Sequence, residues 1–139
     1  MEINDSYKKI IIDEINFAVK KMDSVEKASE KLYYFSAIFG VFHRIYNLDY
    51  NLDLIYAHFI LRSTHDALLS RLKAIEQLRD STILLSDKQF VKLSTLSKEL
   101  ANKIDKAKDM DETLKKFVML SFSTTGNGYY LMQKGCYKL

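Results

Sequence analysis

The sequence predicts an all-α protein: one up-and-down helical bundle of four long helices, followed by a short C-terminal helix and an apolar tail. The 139 residues contain no proline, and Gly40 is the one glycine before position 126. Proline inside a helix costs about 3 kcal/mol and glycine about 1 kcal/mol, so a chain with so few of them favours nearly continuous helix. Apolar side chains also recur at steps of three and four residues, which is typical of amphipathic helices.

The first two helices are indicated by their caps and their apolar stripes. Helix 1 is expected over about residues 6–22 behind Asp5, whose side chain suits an N-cap. Asp23, with Glu26 three residues later, resembles a capping box and begins helix 2, which runs to about Tyr46. The stripes of the two helices are Tyr7, Ile11, Ile15, Ala18 and Met22, then Ala28, Leu32, Phe35, Phe39, Phe42 and Tyr46.

The next three helices follow a turn at 47–52, where asparagine and aspartate favour a chain reversal. Helix 3 is expected over about 53–79, helix 4 from a Ser86–Gln89 capping box to about Lys108, and a shorter helix 5 after Asp109 or Asp111. Helix 4 has a narrow stripe and is expected at the outside of the bundle. The stripes are Leu54, Leu61, Leu68, Leu72 and Ile75; Phe90, Leu93, Leu100, Ile104 and Ala107; and Leu114, Phe117, Val118 and Phe122.

The chain changes character in its last segment, about residues 126–139. Three of the four glycines lie here, and Gly126 is expected to cap helix 5 at its C-terminal end. The segment 129–132 and Tyr137 are too apolar for a free end, so we expect this tail to pack on the bundle or on a partner chain. A hairpin at Asn127–Gly128 is the second alternative. The whole chain, 1–139, is expected to form a single domain.

Composition limits the class of protein. Hydrophobic residues make up 47% of the chain, enough for a core, and the net charge of +3 permits contact with nucleic acid without requiring it. Cys136 is the one cysteine, which excludes an intrachain disulfide and is typical of a reducing compartment. The N-terminus lacks a signal-peptide layout, and no apolar run approaches the roughly 18 residues of a membrane span. We therefore expect a cytoplasmic protein with no membrane partner.

Five polar side chains fall within or beside the apolar stripes of helices 1–3. Because short connections make these helices antiparallel neighbours, His43 is expected level with His58. Glu14 is expected level with Arg62 and His65 by the same argument. These residues are either satisfied structural groups, paired with each other or reaching water at a stripe edge, or a small polar binding site. Clustered histidine, arginine and glutamate would have shifted pKa values, which suit acid–base chemistry.

No cofactor and no metal site are expected from the sequence. Di-iron sites in helix bundles need Glu-x-x-His pairs, and the sequence contains none. Two histidines at one level would need further ligands to hold zinc. The segment 124–128 lacks the lysine and the spacing of a phosphate-binding loop, and no Gly-x-Ser-x-Gly motif occurs.

The segment 58–100 contains Arg62-Ser-Thr-His65-Asp66 inside helix 3 and continues into a further amphipathic helix. In this it resembles HEPN-type helical domains, which occur in prokaryotic defence and toxin systems. Many of them act as ribonucleases or bind nucleotides as dimers. Nuclease members separate their arginine and histidine by more than the two residues found between Arg62 and His65. The resemblance implies an RNA-binding or ribonuclease-related domain, with His65 as acid–base and Arg62 steadying the phosphate.

As its function we expect a non-catalytic interaction module that forms a homodimer, with the HEPN-like role as the alternative. Nine of the 17 aromatic residues lie between Tyr33 and Phe59, and most follow the core stripe. Tyr34, Tyr50 and Tyr56 lie off the stripe or in the turn, and such tyrosines are typical of protein interfaces. Two-fold dimers are the commonest symmetric assemblies.

Overall fold

The computed structural model, which describes residues 3–78 and 87–138, is all-helical in these ranges. Side chains at 75–78 lie outside the description. The helices of the described residues are α1 Asp5–Ser24, α2 Ala28–Leu48, α3 Leu52–Leu78, α4 Asp87–Asp105, α5 Asp111–Ser123 and α6 Gly126–Gln133. The all-α class is confirmed. The expected set of four long helices and one short helix is not confirmed, because the C-terminal segment adds α6.

The first five helices form a closed ring in the order α1, α2, α3, α5, α4, and α6 packs on α5. Asp5 at the start of α1 and Asp105 at the end of α4 line one cavity, so these two helices are antiparallel. Asp53 and Asp111, at the starts of α3 and α5, line another cavity, so these two run parallel. Helix α4 lies between α1 and α5 and buries nine residues, so its expected position at the outside is wrong.

The N-terminal ends of the helices differ in part from the predicted caps. The side chain of Asn4, and not Asp5, caps α1 by accepting a hydrogen bond from the backbone N–H of Ser6 at 2.9 Å. Helix α1 continues through Ser24 and α2 begins at Ala28, so the expected capping box at 23–26 does not form. The expected box at 86–89 begins outside the described residues.

The turn between α2 and α3 is short and capped by Asn51. Its side-chain oxygen accepts hydrogen bonds from the backbone N–H groups of Asp53 at 2.9 Å and Leu54 at 3.3 Å. The cap fixes the first turn of α3. This places the start of α3 directly beside the end of α2, at one end of the ring.

Most residues of the predicted stripes lie in the interior of the ring, but Ala107, Val118 and Phe122 are exposed, so their assignment to the inner face is wrong. Phe35 of α2 and Phe117 of α5 meet across it, with ring centroids 6.1 Å apart. None of the helices in ranges 3–78 and 87–138 is both long enough and apolar enough to span a bilayer. The largest fully buried side chains are Phe35, Phe42, Phe117, Ile11, Ile15, Met22, Leu32, Ile38, Leu54, Leu61, Leu68 and Leu93.

The C-terminal segment folds back as α6, so Gly126 begins a helix and does not cap α5. Thr125 is the N-cap of α6, and its hydroxyl accepts a hydrogen bond from the N–H of Gly128 at 2.9 Å. A Cβ added at Gly128 would lie 1.8 Å from the carbonyl oxygen of Phe122. Only glycine permits this approach of α6 to α5. Tyr137 completes the contact by donating from Oη to the carbonyl oxygen of Gly128 at 2.6 Å.

Within residues 3–78 and 87–138, a residue with left-handed backbone conformation follows two of the helices. Gly135 follows α6 with φ 79°, and the next N–H, of Cys136, donates to a carbonyl of α6 at 3.0 Å. Ala107 follows α4 with φ 53°, and Lys108 N–H donates to Lys103 at 2.8 Å. Glycine adopts this conformation without a steric penalty, whereas alanine does not.

Candidate functional site

The α2–α3 interface contains two of the predicted site residues in contact. The ring centroids of His43 on α2 and His58 on α3 lie 5.1 Å apart. His58 is 4% exposed, whereas His43 is an exposed residue at the rim. We call these two residues the histidine pair. Their contact agrees with the expectation that His43 lies level with His58 on two antiparallel helices.

Hydrogen bonds hold the histidine pair from the α2 side. Oη of Tyr46 lies 3.3 Å from Nδ1 of His58. The side-chain amide of Asn47 donates to the carbonyl oxygen of His43 at 3.0 Å and lies 3.4 Å from its Nε2. Both side chains come from the last turns of α2, where helical spacing places residues three and four apart on one face.

The pKa of His58 is lowered from its ordinary value. Burial of the imidazole is the largest cause, and the neighbouring His43 and Arg62 lower the pKa further because they disfavour a second positive charge. His58 is therefore a neutral imidazole at pH 7. Its Nδ1 can accept a hydrogen bond from the Tyr46 hydroxyl when the proton is on Nε2.

Two turns further along α3, His65 sits in a second set of contacts. Its ring stacks near Phe35, at 6.5 Å between centroids, and meets Phe39 edge-on at 5.2 Å. Nδ1 of His65 lies 3.0 Å from a carboxylate oxygen of Asp66. The same carboxylate lies 3.9 Å from Nε of Arg62, whose side chain is 59% exposed. Asp66, which the sequence analysis did not single out as a partner, thus joins the two residues.

Glu14 does not join this second set. It lies partly exposed on α1, which packs chiefly on α2 and α4. In the described part of the chain, no hydrogen bond or ion pair links Glu14 to Arg62 or His65. The expected polar layer of these three side chains therefore does not form.

A group of exposed apolar side chains lies at the corner where α2 meets α3. Their exposed fractions lie between 55% and 78%. The corner patch consists of Leu48, Tyr50, Leu52, Tyr56 and Phe59. The sequence analysis singled out the two tyrosines and missed the other three. The spacing of Leu52, Tyr56 and Phe59 was the available signal, because steps of four and three place them on one helix face, opposite the core stripe.

The corner patch and the histidine pair are in contact. The rings of His58 and Phe59 have centroids 5.3 Å apart, and Phe39 lies 6.0 Å from His58 on the inner side. A continuous set of ring contacts thus connects the core to the exposed patch. The arrangement places the buried imidazole of His58 beside the exposed ring of Phe59.

Carboxylates cluster at the same end of the ring. Asp53, Asp109 and Asp111 line a cavity of about 120 Å³ with Tyr56. The pKa of Asp111 is raised, chiefly by the negative charge of Asp109, with smaller contributions from desolvation, a hydrogen bond to Asp109 and the charge of Asp53. Within residues 3–78 and 87–138, no group of three histidine, cysteine or acidic side chains has the geometry to hold a metal ion.

Comparison of the chain with family models, with curated proteins and with solved structures gives no match.

Proposed function

We propose that this chain is a non-catalytic helical interaction module that forms a homodimer through the corner patch. One observation carries the proposal: five large apolar side chains within residues 48–59 are more than half exposed. Exposed hydrophobic residues scattered singly are normal on a protein surface, whereas a contiguous group indicates a binding surface. Other exposed large apolar residues are spread over the chain, among them Ile10 and Phe17 on α1, Val91 on α4, and Val118 and Phe122 on α5.

The size of the corner patch favours a second copy of this chain as the occupant. Phenylalanine and tyrosine side chains each contribute about 150–250 Å² of surface, so the exposed parts of three aromatic and two leucine side chains present roughly 600 Å². A stable interface buries about 800 Å² on each partner. The apolar patch therefore supplies most of one side of such an interface, and a rim of polar contacts would supply the rest. A two-fold axis lets the same patch serve both copies.

The composition of the patch also supports this proposal. Tyrosine and phenylalanine are enriched at interface centres, and charged side chains are depleted there. Tyr50 and Tyr56 each add a hydroxyl that can remain hydrogen-bonded to water at the rim. We further propose an up-and-down arrangement of the bundle and a cytoplasmic location, the latter supported by the exposed free thiol of Cys136.

Sedimentation velocity of the purified chain at micromolar concentration tests the dimer. We expect a dimer for the wild type and a monomer for Phe59→Asp, because a charge would be buried in the interface. The dissociation constant should rise at least about 30-fold, as for a central interface residue. Phe17→Asp is the matched control, since Phe17 is 53% and Phe59 60% exposed. A monomeric wild type, or equal loss of dimer in both variants, would contradict the proposal.

A second candidate function is the RNA-binding or ribonuclease-related role. The observation in its favour is the Arg62, His65 and Asp66 group, in which the Asp66 carboxylate lies 3.0 Å from Nδ1 of His65 and forms an ion pair with Arg62 at 3.9 Å. An oriented imidazole beside an exposed guanidinium suits phosphoryl chemistry. Incubation with labelled RNA tests it: cleavage should occur and be lost in His65→Ala. Absence of cleavage, or cleavage unchanged in that variant, would exclude the ribonuclease role, and absence of RNA binding would exclude both.

A further inference from the structure

The outer face of α3 is apolar only at the N-terminal end of the helix. Leu52, Tyr56 and Phe59 follow one another at steps of four and three, so they form one line along the helix, and all three are more than half exposed. The same line continues with Ser63 and Asp66, which are exposed and polar. A partner that covers the apolar residues and leaves the polar ones in water must therefore overlap with the beginning of α3 alone.

We propose that the dimer forms by antiparallel packing of α3 on the α3 of the second copy, with the two-fold axis beside Tyr56. The inference rests on the proposed function and names the element of the second copy that the corner patch receives. In this arrangement each residue faces the one that is equally far on the other side of the axis. Leu52, four residues before Tyr56, thus meets Phe59 of the second copy, three residues after it.

The turn before α3 completes the contact. Because α3 of the second copy runs past the first residue of this α3, its ring at Phe59 also lies near the turn that joins α2 to α3. Leu48 ends α2 and is 70% exposed, and Tyr50 in the turn is 78% exposed. These two side chains cover the incoming phenylalanine from the side. All five residues of the corner patch are then used, and each contact occurs twice because of the two-fold axis.

The charge at Asp66 favours the antiparallel arrangement over a parallel one. In a parallel pair with the axis along α3, each residue faces its own copy, so the two Asp66 carboxylates meet. The Asp66 side chain is 62% exposed, and like charges that face each other across an interface are unfavourable. In the antiparallel pair Asp66 lies about 15 Å along the helix from the axis, past the first residue of the other α3. It remains in water there.

An exchange of charge between positions 52 and 59 tests which residues meet. Leu52→Lys and Phe59→Asp should each be monomeric at micromolar concentration, because each places a charge against an apolar side chain. In their mixture the new ammonium meets the new carboxylate, and the other half of the interface stays native. Sedimentation velocity should give the mixed dimer a dissociation constant at least about tenfold below that of either variant alone. Phe59→Asp mixed with Leu52→Asp is the matched control and should gain nothing.

A distance between the far parts of the two α3 helices tests their direction. Ser70 is exposed and lies 14 residues beyond Tyr56. Spin labels are attached at Ser70→Cys in a chain that also carries Cys136→Ser, since Cys136 is an exposed free thiol. Pulsed electron paramagnetic resonance should find the labels about 40 Å apart in an antiparallel dimer, against less than about 20 Å in a parallel one. In Phe59→Asp the distance should disappear, because that chain is monomeric.

The outcomes separate this inference from the proposed function. A dimeric wild type with labels less than about 20 Å apart, or a mixture that binds no more tightly than its control, overturns the antiparallel packing and leaves the dimer standing. If Leu52→Lys and Phe59→Asp both remain dimeric alone, the dimer uses another surface and both proposals fail. A wild type that is monomeric at micromolar concentration also overturns both.

Discussion

Two apolar groups lie outside the core of the five-helix ring: the corner patch, on α2, α3 and the turn between them, and the C-terminal segment, 126–138. In the corner patch, Tyr50 is 78% and Leu52 is 68% exposed. In the C-terminal segment, Tyr137 folds back on Phe122, with ring centroids 5.5 Å apart, and donates a hydrogen bond to Gly128. Both contain tyrosine and leucine, so these residue types do not distinguish them. The difference is Gly128 in the C-terminal segment, which permits close backbone approach and so lets α6 dock on α5.

The first prediction tests whether the corner patch contributes to folding at all. Leu54 is fully buried and Leu52 is 68% exposed, two residues apart on α3. Leu54→Ala should lower the free energy of unfolding by about 2–5 kcal/mol. Leu52→Ala should change it by less than about 0.5 kcal/mol, measured by urea denaturation at a concentration where the protein is monomeric. A large loss in Leu52→Ala would mean that the patch packs within its own chain.

The second prediction tests the close approach at the α5–α6 junction. Gly128→Ala should lower the free energy of unfolding by about 1–3 kcal/mol and expose α6 to limited proteolysis, because the new Cβ overlaps Phe122. Gly126→Ala is the matched control, since nothing lies within 4 Å of its added Cβ. It should be neutral or up to about 1 kcal/mol more stable. Equal effects in the two variants would rule out this account of the docking.

The third prediction removes the hydrogen bond that closes the C-terminal segment. Burial raises the pKa of the Tyr137 phenol, so the group is protonated and able to donate at neutral pH. Tyr137→Phe should cost about 1 kcal/mol, because the carbonyl of Gly128 loses its partner. Tyr130→Phe, at an exposed tyrosine of α6, should stay within about 0.5 kcal/mol. Thermal and urea denaturation of both variants measure the difference.

The smallest change in stability is expected from exchanging alanine and glycine at the left-handed residues that follow α4 and α6. Ala107 has φ 53° and Gly135 has φ 79°. Ala107→Gly should stabilise the protein by about 0.5–1 kcal/mol by removing the strain of a Cβ in left-handed backbone. Gly135→Ala should destabilise it by a similar amount. Opposite signs in denaturation midpoints support this account, and two changes of the same sign would contradict it.

The sequence predicted the helices and their inner faces well, because periodicity and helix breakers are local properties. The stripe of α2, including Phe35 and Phe42, is an example. The contact of His43 with His58 also followed from chain length between two turns. The exact helix ends could not be predicted in this way, since Asn4 and Thr125 compete with neighbouring residues that are equally suitable as caps.

The arrangement of the ring could not be predicted from local pattern. Nothing in the stripe of α5 indicates that it lies between α3 and α4, because that position depends on the fit of whole surfaces. The same limitation explains why Glu14 does not contact Arg62. That contact was expected on the assumption that α1, α2 and α3 enclose one core. In the structure α1 and α3 lie on opposite sides of α2 in the ring. The helix face that carries Leu52, Tyr56 and Phe59 was likewise ambiguous, because apolar spacing alone does not show whether a face lies in the core or at the surface.

The position of α5 in the ring has a consequence for the order of events during synthesis. The contacts of α1 with α2 and of α2 with α3 join neighbouring segments and can form as soon as each helix is made. The contact of α3 with α5 joins residues as far apart as Thr64 and Ser121. Chains elongate at about 5–20 residues per second, so the inner face of α3 waits several seconds for its cover. The face of α1 that packs on α4 waits longer still, because Asp23 and Lys98, which pair across that contact, are 75 residues apart. The nascent chain therefore exposes its future core longest at α1, where a chaperone would have most to protect.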